Sequence, residues 1–390
     1  MNRVFIFLLL GFVSASQGLA GQSLLGSRGL GLPIEPLDAR SRALGSVGVG
    51  LIGPVLLPTD PASAAGIAFP ALEITLQPQW TEGTMGEETD RTHGTRFPVM
   101  GLSYPVYSLG GTVTLTMGGF MDQRWELRRE STTELGGSTV PLVDELKSEG
   151  GVTTVRLGWA QRLGDDLAIG VGIGSQAGSV TRTFTRTLID PEPGVEVIPY
   201  QVRSEWQYSG LTATLGARWD PVDFLRLAGT ATWSSSLKAD PMEGTEAGDA
   251  EFELPLELRL GASGLLTSDL IMNLGLAYAG WGHSAGGLRE EDLAGPVWSF
   301  GGGLEWTGTE LRSRRMPFRV GARRSGLPFR FAGEDPTEML VAGGIGINLT
   351  RPQDLLAGGV DLAVERGQRE AGALSETFWR GTVTLRIASW

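Results

Sequence analysis

The sequence contains no cysteine. That excludes disulfides, thiolate metal sites and a lipid-modified N-terminal cysteine. Histidine is almost as scarce, with His93 and His283 the two in 390 residues. A hydrolase built on a histidine needs that ring held between a nucleophile and a carboxylate. His93 near Asp90 is too slight a constellation to carry that chemistry, so no catalytic site is expected. No spacing of metal ligands occurs, and neither a metal nor a cofactor is expected. Gly170-Val171-Gly172-Ile173-Gly174 lacks a following helix and lies mid-strand, which removes it as a phosphate loop.

Long apolar runs are also missing. The unbroken run from Val4 to Val13 is far too short to cross a bilayer as a helix. It follows Arg3 and precedes Gly18-Leu19-Ala20, the three regions of a secretory signal peptide, here assigned to residues 1–20. If the remaining chain sits in a membrane, it does so as a closed barrel. The net charge of −12 disfavours nucleic-acid binding. The acidic residues gather in segments expected to be loops, such as Glu82, Glu87, Glu88 and Asp90, or Glu290, Glu291 and Asp292. They read as solvated loop surface rather than as cation sites.

What the chain has in abundance is glycine, 58 residues, and a period of two. Leu270, Met272, Leu274, Leu276 and Tyr278 alternate with Ile271, Asn273, Gly275, Ala277 and Ala279. Leu167, Ile169, Val171 and Ile173 alternate with Ala168, Gly170, Gly172 and Gly174. Leu211, Ala213, Leu215 and Ala217 alternate with Thr212, Thr214, Gly216 and Arg218. A strand sends successive side chains to opposite faces. A bulky apolar face opposite a small or polar one is the pattern of a strand between lipid and lumen. Strand candidates are 73–80, 98–107, 112–129, 150–163, 167–181, 202–219, 223–237, 251–263, 269–282, 296–308, 316–324, 338–349, 358–367 and 377–389. The connections alternate short and long, the long ones at 82–97, 130–149, 182–201, 238–250, 283–295, 325–337 and 368–376. Short periplasmic turns and long outer loops are the rule for such barrels. The expected fold is therefore all-β, a transmembrane antiparallel β-barrel of about 14 strands over residues 73–390.

Trp80, Tyr107, Trp125, Trp219, Trp233, Trp281, Trp306 and Trp379 fall near strand ends, where aromatic girdles meet the membrane boundary. Inward positions carry Arg156, Arg218, Arg226, Glu253, Glu257, Arg259, Arg319, Arg323, Arg380 and Arg386. Charges inside a barrel must be paired or hydrated, so they read as ladders fixing the wall rather than as an anion filter. The closing stretch Thr382 to Trp390 resembles the terminal signal read by the barrel assembly machinery, although Trp390 is out of phase with Val383, Leu385 and Ile387.

Residues 21–72 do not alternate and are rich in turns. Within them, Ala39-Arg40-Ser41-Arg42-Ala43-Leu44-Gly45 followed by Asp60-Pro61-Ala62 resembles the N-terminal hatch of FadL-like outer-membrane proteins. That superfamily includes hydrophobic-compound transporters and PorV-like barrels of a secretion system. Its usual second glycine is Ser46 here, and its usual asparagine is Asp60. The resemblance implies an N-terminal plug inside the lumen, with Arg40, Arg42 and Gly45 as its motif. It also implies outer-membrane lipid as surroundings and a hydrophobic small-molecule ligand, with secretion-system proteins as partners in the alternative reading. An exit beside a kinked third strand follows from it too. Gly118-Gly119 in strand 112–129 is the candidate bend, and Asp60, Pro61 and Ala62 are expected to pack against it as the gate.

Overall fold

The computed structural model describes residues 23–135, 137–189, 198–246, 248–281, 294–311, 314–349 and 356–389. The signal-peptide assignment, His283, the acidic cluster at 290–292 and Trp390 lie outside the described residues.

The wall begins with β1 (Ala71–Met85), β2 (Glu88–Arg96 and Val99–Val106), β3 (Gly111–Asp122 and Trp125–Leu135), β4 (Ser138–Leu163) and β5 (Leu167–Leu188). It continues with β6 (Tyr200–Val222), β7 (Leu225–Ser234 and Leu237–Pro241), β8 (Ala250–Phe252 and Glu257–Leu265), β9 (Leu270–Ala279) and β10 (Val297–Trp306). β11 (Phe318–Gly326), β12 (Thr337–Asn348), β13 (Leu356–Ala371) and β14 (Leu374–Ser389) complete it. Each pairs antiparallel with its sequence neighbour. β14 pairs back onto β1, with Ala71 facing Ala388 and Met85 facing Leu374. Fourteen strands thus close into a ring, as a sheet that spans a bilayer must.

Period two decides which side chains meet lipid. Along β9, Leu274 is half exposed while its neighbour Asn273 is fully buried. Along β5, Ile169, Val171 and Ile173 face outward, and Ala168 and Gly170 are buried. The outward faces of neighbouring strands join into an apolar belt that includes Leu115, Leu157, Leu215, Leu260, Phe300, Val320 and Val341. Trp80, Trp219, Trp233, Trp306, Trp379 and Tyr107 lie exposed on that surface, as girdle residues do. Trp125 and Trp281 depart from that expectation, because both are buried. Trp281 sits in an inner cluster with Met121, Val180, Tyr208 and Leu237.

Several expected outer loops are strand instead. β1 and β2 turn at Gly86-Glu87, so most of 82–97 is paired. β3 and β4 pair from Trp125 opposite Ser148 up to Leu135 opposite Ser138. β13 and β14 continue to a turn at Gly372-Ala373. These extensions carry polar residues on both faces. With water on either side, no hydrophobic alternation is needed, and the period-two signal vanishes although the ladder does not.

The N-terminal segment meets strands on both sides of the ring. α1 (Ala39–Ala43) contacts β11 to β14, while the 3₁₀ turn Pro61–Gly66 contacts β3 to β6. Leu37, Leu44, Val47, Leu51, Val55 and Leu57 form a buried cluster within it. Each such side chain contributes roughly 1.5–3 kcal/mol on burial.

Candidate functional site

The inner segment is positioned by its caps and by a floor of wall glycines. Asp38 caps α1, its carboxylate accepting from the Ser41 N–H at 2.8 Å. The Ala39 N–H donates to Thr384 Oγ1 of β14 at 2.8 Å. Gly45, just past α1, has φ 76°, a left-handed conformation that glycine adopts freely. A Cβ on Gly321 would stand 2.2 Å from the Gly45 nitrogen, and one on Gly301 would stand 2.1 Å from the Gly45 carbonyl oxygen. Wall glycine at these positions lets the inner backbone lie directly on the sheet.

Most of the lumen charges are paired, in several groups that join wall strands to one another and to the inner segment. Arg386 reaches Glu73 and Asp38 at 2.8 Å each and Asp361 at 3.3 Å. Arg319 bridges Glu305 at 2.8 Å and Asp361 at 2.5 Å. Arg40 of α1 meets the same Glu305 at 2.6 Å. Arg380 lies 3.7 Å from Glu338 and 3.5 Å from Glu365. Arg42 lies 4.0 Å from Glu365 and donates to the Glu35 carbonyl at 2.7 Å. Arg226 pairs with Asp220 at 2.7 Å, and Arg218 approaches it at 3.6 Å. These arginines thus tie wall strands to one another or to the inner segment. Sequence reasoning misses their carboxylate partners Glu35, Glu73, Glu305, Glu338, Asp361 and Glu365. For Glu73 a signal exists, its inward parity with Thr75, Gln77 and Gln79 on β1.

Glu253 is the exception among the lumen candidates. It is exposed in the unpaired stretch between the two parts of β8. The strand breaks there, and parity counted through a break fails. Glu257, on the paired part, lies 3.5 Å from Arg259.

Glu35 stands at the centre of the inner face. It binds Arg259 at 3.0 Å and Arg323 at 2.8 Å. Burial pushes its carboxyl up, but Arg259, Arg323 and Arg42 together outweigh that, and the net shift is well below the ordinary carboxylate range. Asp60 is shifted the other way. Burial raises it more than the Gly50 and Ser63 N–H groups lower it.

Beside Glu35 is a cavity of about 130 Å³. Its apolar wall includes Pro33, Ile34, Phe120, Met121, Tyr278 and Trp281, and its polar edge includes Glu35, Arg156, Arg259 and Arg323. The Arg156 Nε has no hydrogen-bond partner among the described residues.

Two elements of the expected gate come apart. β3 does bend near the glycine pair, since its register against β4 shifts between Gly119 and Met121. The strand is then interrupted at Gln123-Arg124 and resumes at Trp125. A Cβ on Gly118 would meet Pro36 at 2.7 Å, and one on Gly119 would meet Ile34 at 2.6 Å. Pro61 and Ala62 pack elsewhere, on Gly170 of β5, where a Cβ would stand 2.3 Å from the Pro61 carbonyl carbon. Pro61 also lies 3.1 Å from such a position on Gly216 of β6. Shape decides this: only a wall position without a side chain admits the Pro61 backbone, and β5 and β6 supply two adjacent ones.

His93 is exposed on β2, opposite Trp80 of β1. Among the described residues there is no cluster of groups able to hold a metal ion.

No family model and no curated protein matches the sequence. Solved structures do match the fold. The toluene transporter TbuX of Ralstonia pickettii is 14% identical at TM-score 0.60, over 92% of this chain and 99% of that one. A FadL homologue of Pseudomonas aeruginosa is 12% identical at TM-score 0.63, over 92% and 99%. The toluene transporter TodX of P. putida is 13% identical at TM-score 0.60, over 92% and 99%. With its closed ring of fourteen strands and these structural neighbours, the chain has the fold of the FadL-like outer-membrane β-barrels.

Proposed function

We propose that this protein is an outer-membrane channel for small hydrophobic molecules, and that its substrates are single-ring or similarly compact hydrocarbons. The cavity beside Glu35 carries the reading. Its volume of about 130 Å³ is close to that of an apolar protein cavity of about 150 Å³ that admits benzene. Drug-sized or long-chain ligands need pockets of roughly 300–1,000 Å³. Much of its charged edge is paired, Glu35 with Arg259 and Arg323, and Glu257 with Arg259. Two of the structural neighbours are toluene transporters, which agrees with this substrate class. Residues 23–70 act as the plug, and an apolar molecule leaves the cavity sideways, because bilayer hydrocarbon accepts it without a water-filled step. Export by residues 1–20 and insertion by the barrel assembly machinery complete the proposal.

The test is uptake of radiolabelled toluene into proteoliposomes, with a labelled long-chain fatty acid as competitor. Toluene uptake above that of empty vesicles, undiminished by the fatty acid, is the expected result. Uptake of neither compound would overturn the channel reading, and uptake of the fatty acid alone would overturn the substrate class.

A further inference from the structure

We propose that the route from the inner cavity to the bilayer crosses the wall between β7 and β8, at a gap in their ladder. This inference rests on the channel reading above. The register is the same on both sides of the gap. Thr232 faces Glu257 below it, and Leu237 faces Phe252 above it. Residues 233–236 and 253–256 therefore stand opposite one another without pairing.

Both strands are built to stay apart there. β7 bulges against β6. Ser234 faces Thr212 and Lys238 faces Ser209, so one extra residue is accommodated around Ser235 and Ser236. The bulge is held by the Ser235 N–H donating to the Leu211 carbonyl at 2.8 Å and by Ser235 Oγ accepting from the Leu211 N–H at 2.9 Å. On β8, Pro255 has no N–H to offer the ladder. Bulges of this kind re-aim a strand or terminate its pairing, often beside functional sites.

The gap leads somewhere on both sides. A cleft of about 540 Å³ opens at it, between Ser236, Leu254, Pro255 and Leu256. Ser234 and Tyr278 line both this cleft and the cavity beside Glu35. Outside, Trp233 and Leu256 are exposed on the lipid face. The Tyr278 and Trp298 rings pack 4.7 Å apart beside it, and Trp298 is exposed. The cavity and the cleft thus adjoin at Ser234 and Tyr278, and the inferred route runs through that shared wall, past small serine side chains, to the bilayer.

The bend in β3 also borders the cavity, at Gly118 and Gly119, but there the inner segment is paired along the strand. Leu32 and Pro33 pair with Asp122 and Met121, and the Ile34 N–H donates to the Phe120 carbonyl at 2.9 Å.

Because the chain has no cysteine, a single one can be placed at the gap. Ser236→Cys is reconstituted, its folding checked by heat-modifiable gel migration, and toluene uptake measured before and after reaction with benzyl methanethiosulfonate. The expected result is loss of uptake on modification and full recovery on reduction. Leu215→Cys on the lipid face, treated alike, should keep its uptake. A modified Ser236→Cys barrel with undiminished uptake overturns the proposal. So does a cysteine there that the reagent cannot reach, since a gap that passes a hydrocarbon must admit it. Unmodified wild-type protein is measured first, and its failure to take up toluene would sink the channel reading and the portal with it.

Discussion

Gly321→Ala is the sharpest probe of whether the inner segment closes the lumen. Gly321 lies mid-strand on β11, between Gly303 of β10 and Ala342 of β12. An alanine Cβ there would stand 2.2 Å from the Gly45 nitrogen, 2.4 Å from the Leu44 carbonyl carbon and 2.8 Å from the Ala43 carbonyl oxygen. All three are backbone atoms, so no side chain can rotate away. Overpacking of this kind costs typically about 1–3 kcal/mol. A free-energy change of that size shifts a two-state equilibrium by roughly 5–150-fold.

The wall itself has little reason to unfold, because the strain falls on the segment and not on the ladder. Gly343→Ala on β12 is the control. Its Cβ would meet nothing closer than the Arg319 carbonyl oxygen at 3.8 Å. The assay is current across a planar bilayer. Wild type and Gly343→Ala should be nearly silent, and Gly321→Ala should show frequent larger openings. A Gly321→Ala barrel as silent and as heat-resistant as wild type would refute the seating of the segment on these glycines.

Leu274→Arg, on the lipid face, should destabilise the barrel by about 2–4 kcal/mol if it lies near the midplane, measured by denaturant unfolding in lipid; a negligible loss would show that the face is misassigned. Glu35→Gln should cost about 3–5 kcal/mol, because it leaves Arg323 buried without its carboxylate and Arg259 with Glu257 alone, and it should raise anion conductance in the same bilayer assay. Acid titration follows from the same group. The folded carboxyl is held below its ordinary value of 4.5, so its contribution is fully present above that pH and is lost as pH falls through the lowered folded value. Wild type should therefore lose stability below about pH 4.5, and Glu35→Gln should flatten that limb; identical acid limbs would exclude Glu35 as their source. Asp60→Asn should weaken the cap of the Pro61–Gly66 turn, because the carboxylate accepts from both the Gly50 and Ser63 N–H groups, at 2.9 and 3.3 Å, and an amide oxygen cannot serve both; faster proteolysis of the inner segment would report it, and unchanged proteolysis would count against the cap.

The bilayer part of the fold is legible because lipid imposes a rule on every second residue. Leu274 and Asn273 sit where period two puts them. Above the bilayer the rule lapses, and the paired extensions of β1, β2, β3 and β4 read as loops. The lumen is less legible, since parity says that a side chain points inward but not what it meets. By parity alone, Asn273 faces an open lumen that would tolerate arginine. It is instead fully buried and accepts a hydrogen bond from Ser263 Oγ at 2.7 Å. An arginine there would be an unpaired buried charge.

The glycines show why the gate cannot be read from local sequence. Gly118-Gly119 stands out as a pair, yet Ile34 and Pro36 cover it. The glycines that matter for Pro61 are Gly170 and Gly216, on strands that follow it by more than a hundred residues and that register brings side by side. A seat made by two strands has no signature in either one. The gap between β7 and β8 is of the same kind. Three serines on one strand and a proline on the other are each unremarkable, and only the shared register turns them into facing stretches that do not pair. In a closed wall, where every backbone group in lipid needs a partner, such a place persists only where water, side chains or a passing molecule can take up what the ladder leaves open.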